Sequence, residues 1–312
     1  MERKMLDDFI SIHDLSLYEF NRILELSREI KEHPERFKKK LKKKILAMIF
    51  EKPSLRTRVT FELGMFQLGG ESFYLGPSEI QLGKRESPYD VAKNLERWAV
   101  DGIVIRTFVN QNVLDVALNT RIPVINGLTD LLHPCQAIAD FFTLQEKRRD
   151  LTNLKLAFLG DGNNVCHSLL FAAAKAGAHM AVATPAGYEP RKEILKQAEE
   201  DGKATDATFT VVDNPEDAVR EADAVYTDVW ASMGQEEEKE KRAKIFSPFQ
   251  VNENLMAKAK PDAFFMHCLP AHRGEEVTDK IIDSPQSIVF DQAENRLHVQ
   301  KAIMLLLMGK KG

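Results

Sequence analysis

The sequence predicts an α/β protein made of two doubly wound domains, each a parallel sheet covered by helices. Three observations predict it. Short apolar, β-branched runs alternate with segments of helical period along almost the whole chain. The alternation comes in two series, separated by the polar link RRDLTN from Arg148 to Asn153. The chain has 312 residues, 44% of them hydrophobic, which is enough for two cores of ordinary size.

In chain order, the first series offers the strands ILAMIF from Ile45, SFYLG from Ser72, GIVIR from Gly102 and PVING from Pro123, each followed by a helix-like stretch. It closes on a long helix expected from about His133 to Arg149. The second series offers KLAFLG from Lys155, HMAVAT from His179, TFTVVD from Thr208, AVYTDVW from Ala224, AFFMHC from Ala263 and SIVFD from Ser287. The last segment, AENRLHVQKAIMLLLMG, spaces its apolar residues helically and carries more of them than a solvated tail would. The expected division is therefore a first domain of residues 1–149 and a second of residues 150–292, with helix 293–312 packing back on the first.

Composition excludes several classes of function. Forty-three basic against forty-seven acidic residues leave a net charge of -4, so no global footprint for nucleic acid or an anionic membrane surface exists. The run KKKLKKK from Lys38 reads as a solvated face beside a helix end, and EEEKEKR from Glu236 as an exposed loop or helix. No apolar run reaches the roughly 18 to 20 residues of a membrane span, and the start MERKMLDDFISIHD lacks the apolar core of a secretory signal. Cys135, Cys166 and Cys268 form no metal spacing and cannot all pair, which fits free thiols in a reducing compartment. The expected location is the cytoplasm.

The residues that can carry chemistry gather at the ends of the predicted strands. In FEKPSLRTRVTFELG, from Phe50, a strand breaks at Pro53 and a helix begins near Ser54, with Arg56, Thr57 and Arg58 in its first turn. First-turn N–H groups have no intrahelical acceptor, and a phosphate there gains from them, from about 0.3–1 kcal/mol of helix dipole and from the planar forks of arginine. The same pattern also fits a helix capped by Ser54 with solvated arginines. Arg106 closes GIVIR, and His133 and Gln136 follow PVING three residues apart at a helix start, where both can face one ligand and donate to a developing oxyanion.

In the second series LGDGNNV imitates the dinucleotide fingerprint from Gly160 but puts Val165 where the last glycine belongs. Thr184 and Pro185 stand where a ribose-binding acid should. The turn is read instead as a substrate turn in which Asn164 offers an amide. Asp228 ends the AVYTDVW strand and can hold an ammonium, with Ser232 and Met233 in the loop after it. HCLPAHRG, from His267, sets the Cys268 thiol at a strand mouth beside His272 and Arg273, a setting that suits a functional thiol; it lacks the further ligands of a structural zinc site.

Taken together and in this order, SLRTR, HPCQ, GDGNN, DVWASMG, HCLPAHRG and FDQAENR resemble the ornithine carbamoyltransferases, within the aspartate/ornithine carbamoyltransferase family. The resemblance implies two α/β domains, the first binding carbamoyl phosphate and the second L-ornithine, in a homotrimer or an assembly of trimers. It implies a phosphate-binding turn at Ser54, Leu55, Arg56 and Thr57, with Arg106 on phosphate and carbonyl oxygen, His133 on the carbonyl oxygen, Gln136 at the carbamoyl end and Arg296 at the same ligand. Gln81 matches a loop that reaches the neighbouring subunit's site. Asn164, Asp228, Ser232 and Met233 match the grip on ornithine's α-amino and α-carboxylate groups. Cys268 and the Leu269 backbone match the place where the carbamoyl amine meets the attacking δ-amine. The implied catalytic set is Arg106, His133, Cys268 and Asp228, with no metal and no cofactor.

Relatives differ where the second substrate differs. An aspartate-using enzyme should carry proline at Cys268, and a putrescine-using one lacks the SMG loop. N-acylornithine enzymes share the departure from threonine at Leu55, so they stay as the alternative. A nicotinamide dehydrogenase would need the missing glycine and acid.

Overall fold

Strand and helix alternate from Leu17 onward in the computed structural model, which describes residues 7–231 and 238–309. The order is α1 (Leu17–Glu32), β1 (Ile45–Phe50), α2 (Leu55–Leu68), β2 (Glu71–Leu75), α3 (Pro88–Arg97), β3 (Gly102–Arg106), α4 (Asn110–Leu118), β4 (Val124–Leu128) and α5 (Pro134–Arg148). It continues with β5 (Lys155–Leu159), α6 (Asn164–Ala176), β6 (His179–Ala183), α7 (Lys192–Gly202), β7 (Phe209–Val212), α8 (Pro215–Val219) and β8 (Ala224–Thr227). The chain ends with α9 (Lys239–Phe246), α10 (Glu253–Met256), β9 (Phe264–His267), α11 (Asp279–Ile282) and α12 (Val289–Met308). It divides into two units, Met1–Phe142 with Glu294–Gly312, and Thr143–Ala293.

The first unit holds a parallel sheet of order β2-β1-β3-β4. β3 and β4 are buried along their whole length, as strands covered on both faces must be. The chain leaves β1 to one side for β2 and crosses back to the other side for β3, so the topological switch point lies between β1 and β3. There Phe50 is paired with Arg106, and a register shift brings Arg106 opposite Leu128 of β4. The three C-terminal ends are therefore level, and whatever follows them shares one edge. Within this unit the C-terminal part of α12 packs on α2 and on β3: a Cβ added at Gly64 would stand 2.8 Å from Met304, and one at Gly102 2.6 Å from Met308.

The second unit holds a parallel sheet of order β7-β6-β5-β8-β9, with its switch point between β5 and β8. Leu159 is paired with Thr227, and Thr227 with His267, so the turns after β5, β8 and β9 open at one edge. Its core joins Ala157, Leu159, Val225 and Phe265 of the sheet to Val251, Val277, Ile281 and Val289.

One predicted strand is absent. SIVFD makes only an isolated bridge, Ser287 to Phe265, and from Val289 the chain is already helix α12. A three-residue apolar run, Ile288 to Phe290, is compatible with a buried helix start as well as with a strand, and length alone could not separate them.

Candidate active site

In the first unit the site grows from the turn after β1. Glu51 N–H donates to the Arg106 carbonyl at 2.9 Å, which ties the exit of β1 to the end of β3. Ser54, in extended backbone, caps α2 by accepting the Thr57 N–H at 3.2 Å. Arg106 is buried; its Nε donates to the Lys52 carbonyl at 3.0 Å and its Nη1 to Thr57 Oγ1 at 3.3 Å. Arg296, brought in by α12, donates to the same Thr57 oxygen at 2.7 Å, and the Ser54 hydroxyl lies 3.2 Å from it. A hydroxyl oxygen has two lone pairs. That of fully buried Thr57 is saturated as an acceptor, so its proton is left to donate to a ligand.

His133 precedes α5 and is buried. Burial holds its pKa well below the usual imidazole range, and the positive charges of Arg296, Arg106, Lys52 and Arg56 push the same way. It is neutral at physiological pH and can give one N–H to a carbonyl oxygen without adding charge. Gln136, in the first turn of α5, donates through Nε2 to Asp140 at 2.8 Å, while its buried Oε1 has no partner among the described residues. That oxygen suits an N–H donor such as an amide. Four cations, a donor hydroxyl, a neutral imidazole, an open amide oxygen and a helix N-terminus together form a receptor for an anion that carries a carbonyl and an amine.

Leu55, first in α2, is 74% exposed, so what it offers this site is its backbone. Gln81 lies apart, exposed on the β2–α3 loop at φ 53, its carbonyl accepting the N–H groups of Lys84 and Arg85.

In the second unit the site lies on the turns after β5, β8 and β9. Asn163 caps α6, its Oδ1 accepting from Val165 and Cys166 N–H at 2.9 and 3.1 Å. Its Nδ2 donates to Asp228 Oδ2 at 2.8 Å, and the Cys268 thiol donates to Asp228 Oδ1 at 3.1 Å. Asp228 is thus fixed by an amide and a thiol, neither of them a cation. Leu269 N–H donates to His267 Nδ1 at 2.8 Å, with Leu269 at φ 56 and the Leu269–Pro270 peptide cis. Asn164 is the first residue of α6, its carbonyl accepting the Ser168 hydroxyl at 3.0 Å. Ser232 and Met233 lie outside the described residues.

Near the thiol in sequence, Arg273 is engaged by Asp279 and Asp283, and His272 faces Glu275 at 3.6 Å. The other thiols are buried; burial pushes Cys135 up to about 12 and raises Cys166 as well. The dinucleotide likeness at Gly160 also has a structural explanation. A Cβ on Gly162 would collide with the backbone of Glu189 and Pro190, so this glycine makes room for protein, where the fingerprint's second glycine makes room for a pyrophosphate.

The sequence reading missed Lys52, Asn163 and Arg242. Asn163 was open to detection, because an asparagine just before the first helical residue is a strong cap signal. Arg242 was read only as part of a charge run. It is buried and donates to Asp161 Oδ2 at 2.7 Å and to the Trp230 carbonyl at 3.0 Å, which ties the start of α9 to the turns after β5 and β8.

Two doubly wound units, with a cationic receptor at one switch point and a fixed carboxylate beside a thiol at the other, define a two-domain α/β enzyme with one ligand site in each sheet. Residues 7–146 match the model described as "Aspartate/ornithine carbamoyltransferase, carbamoyl-P binding domain", and residues 152–307 the model described as "Aspartate/ornithine carbamoyltransferase, Asp/Orn binding domain". The chain belongs to the aspartate/ornithine carbamoyltransferase family. It is 52% identical over 307 residues to the ornithine carbamoyltransferase of Thermococcus kodakarensis, covering 97% of this chain and 96% of that one. It is 51% identical, with the same coverage, to the anabolic ornithine carbamoyltransferase of Pyrococcus furiosus. A solved structure of the Pyrococcus furiosus ornithine carbamoyltransferase superposes with a TM-score of 0.93 at 50% identity over 96% of each chain.

Proposed function

We propose that this protein transfers the carbamoyl group of carbamoyl phosphate to the δ-amine of L-ornithine, giving L-citrulline and phosphate for arginine synthesis. The observation that carries the proposal is the convergence of Arg106 and Arg296 on the Thr57 hydroxyl beside a neutral His133. Phosphate oxygens take the α2 N–H groups of Leu55 and Arg56 and the Arg56 and Arg106 forks, at the turn that the Ser54 hydroxyl caps and braces against Thr57. Arg106, Thr57 and His133 donate to the carbonyl oxygen, Gln136 Oε1 accepts from the carbamoyl amine, and Arg296 holds Thr57 in place. Asp228 and Asn164, with Ser232 and Met233, take the α-amino and α-carboxylate groups of ornithine; Cys268 and the Leu269 backbone meet the δ-amine.

The δ-amine, once deprotonated, attacks the carbonyl carbon. The C=O π pair moves onto oxygen as an alkoxide that the preorganised donors stabilise; the carbonyl re-forms as the C–O bond to phosphate breaks, and the phosphate leaves with the bonding pair and takes up the proton that the new C–N nitrogen releases. The test is formation of the carbamoylated amine from carbamoyl phosphate with ornithine, N-acetylornithine, putrescine or aspartate, citrulline being the product from ornithine. Turnover with ornithine alone is expected; turnover confined to N-acetylornithine would transfer the assignment to that relative.

The proposed assembly is a homotrimer, or a set of trimers. Leu55, Val59, Leu63 and Phe66 put an exposed apolar stripe along α2, which a second copy of the chain would cover. Gln81, on the β2–α3 loop, is the residue proposed to reach the neighbour. Sedimentation at micromolar concentration tests this, and a monomer would contradict it. No helix among the described residues is long and apolar enough to cross a membrane, and the cytoplasm is the proposed location.

A further inference from the structure

We propose that the turn after β9 is a binding site for a first-row divalent metal ion such as Zn²⁺, with His272 Nδ1, Glu275 Oε2 and Glu276 Oε2 as ligands. The turn is tight: Glu275 N–H donates to the His272 carbonyl at 2.9 Å, and Gly274 N–H to the Val277 carbonyl at 2.8 Å. Gly274 has φ +85, a conformation that favours glycine, with open space around its Cβ position. This folding back sets residues 272, 275 and 276 on one side. His272 Nδ1 lies 3.6 Å from Glu275 Oε2 and 4.0 Å from Glu276 Oε2, and the ligand atoms of the three residues all lie within 4.8 Å of one another. Tetrahedral N and O ligands about 2.0–2.1 Å from zinc are about 3.3 Å apart, so the partly exposed His272 and Glu275 side chains would move inward on Glu276 to close on an ion.

A separate observation points to a cation at this place. Glu276 is fully buried; its Oε1 accepts the His272 N–H at 2.5 Å, but its Oε2 has no hydrogen-bond partner among the described residues. A buried carboxylate oxygen without a donor is costly, and a metal ion removes the cost. The nearby charges are compatible. Lys239 engages Glu275 through the other oxygen, Oε1, at 2.9 Å, and His267 Nε2 lies 3.3 Å from Glu276 Oε1, so both proposed carboxylate ligand atoms stay open. One imidazole, two carboxylates and a water would complete a four-coordinate shell.

A second cluster, Asp228, His267 and Cys268, belongs to the substrate site and could bind zinc on its own account. The experiment therefore uses the full chain carrying Cys268→Ser, titrated with Zn²⁺ against a chromogenic chelator. One ion per chain is expected. Adding His272→Ala or Glu275→Gln, both at partly exposed positions, should weaken binding at least tenfold. Absence of binding in the Cys268→Ser protein, or binding that these further substitutions leave unchanged, would overturn the proposal.

Discussion

At Thr57 a single hydroxyl oxygen takes the guanidinium groups of Arg106 and Arg296 and the Ser54 hydroxyl, and this junction is where the proposed function puts the phosphate and the carbonyl oxygen. Lysine cannot reproduce the fork that reaches both Thr57 and the Lys52 carbonyl. Arg106→Lys is therefore expected to lower kcat by about 10²–10³ in a citrulline assay, and a loss below about fivefold would place the oxyanion contact elsewhere. Because the proposed contribution of Leu55 is its backbone N–H, Leu55→Thr should shift the KM for carbamoyl phosphate by less than tenfold. His133 supplies a pH prediction. Its folded pKa lies well below 6.5, so below pH 6.5 the unfolded chain binds the proton first and stability falls as pH falls. His133→Asn should lose less stability than the parent between pH 6.5 and 5 in urea unfolding, and parallel curves would contradict a neutral imidazole. Arg106 and His133 were legible because their types stand at strand ends. Lys52 was not, since a lone lysine before a turn looks like surface, and Arg296 was found through the family resemblance, because nothing in a helical pattern says which turn of α12 meets Thr57.

Among the elements, ILAMIF and GIVIR are strands with the bounds their composition suggests, because a strand buried on both faces is a continuous apolar run ended by polar or breaker residues. SIVFD has the same composition at the start of α12. The distinction is tertiary: Phe265 N–H donates to the Gln286 carbonyl and Ile288 N–H to the Phe265 carbonyl, which leaves no length for a ladder before the helix begins. The docking of α12 on α2 buries Lys301, whose Nζ donates to Gln67 Oε1 at 2.9 Å. Burial lowers its pKa from 10.5 to about 8. Between pH 8 and 10.5 the unfolded chain holds more protons, so this group's penalty is full below pH 8 and relieved above 10.5. Lys301→Met is expected to stabilise at pH 7 by about 1–3 kcal/mol, after the lost hydrogen bond is deducted, with the gain shrinking as pH rises through that window. A gain that is constant with pH in thermal unfolding would contradict it.

For the whole molecule, the account rests on a division of labour between two sheets of the same design, each with its polar ligand site at its switch point. The two-series pattern of the sequence made both sheets legible, whereas strand order, and with it the position of each switch point, depends on pairings far apart in the chain. The most direct test is a calorimetric titration of carbamoyl phosphate, without ornithine, into the parent protein, Arg56→Ala and Asp228→Asn. At least tenfold weaker binding is predicted for Arg56→Ala and unchanged binding for Asp228→Asn. Undiminished binding in Arg56→Ala, or its loss in Asp228→Asn, would contradict the account.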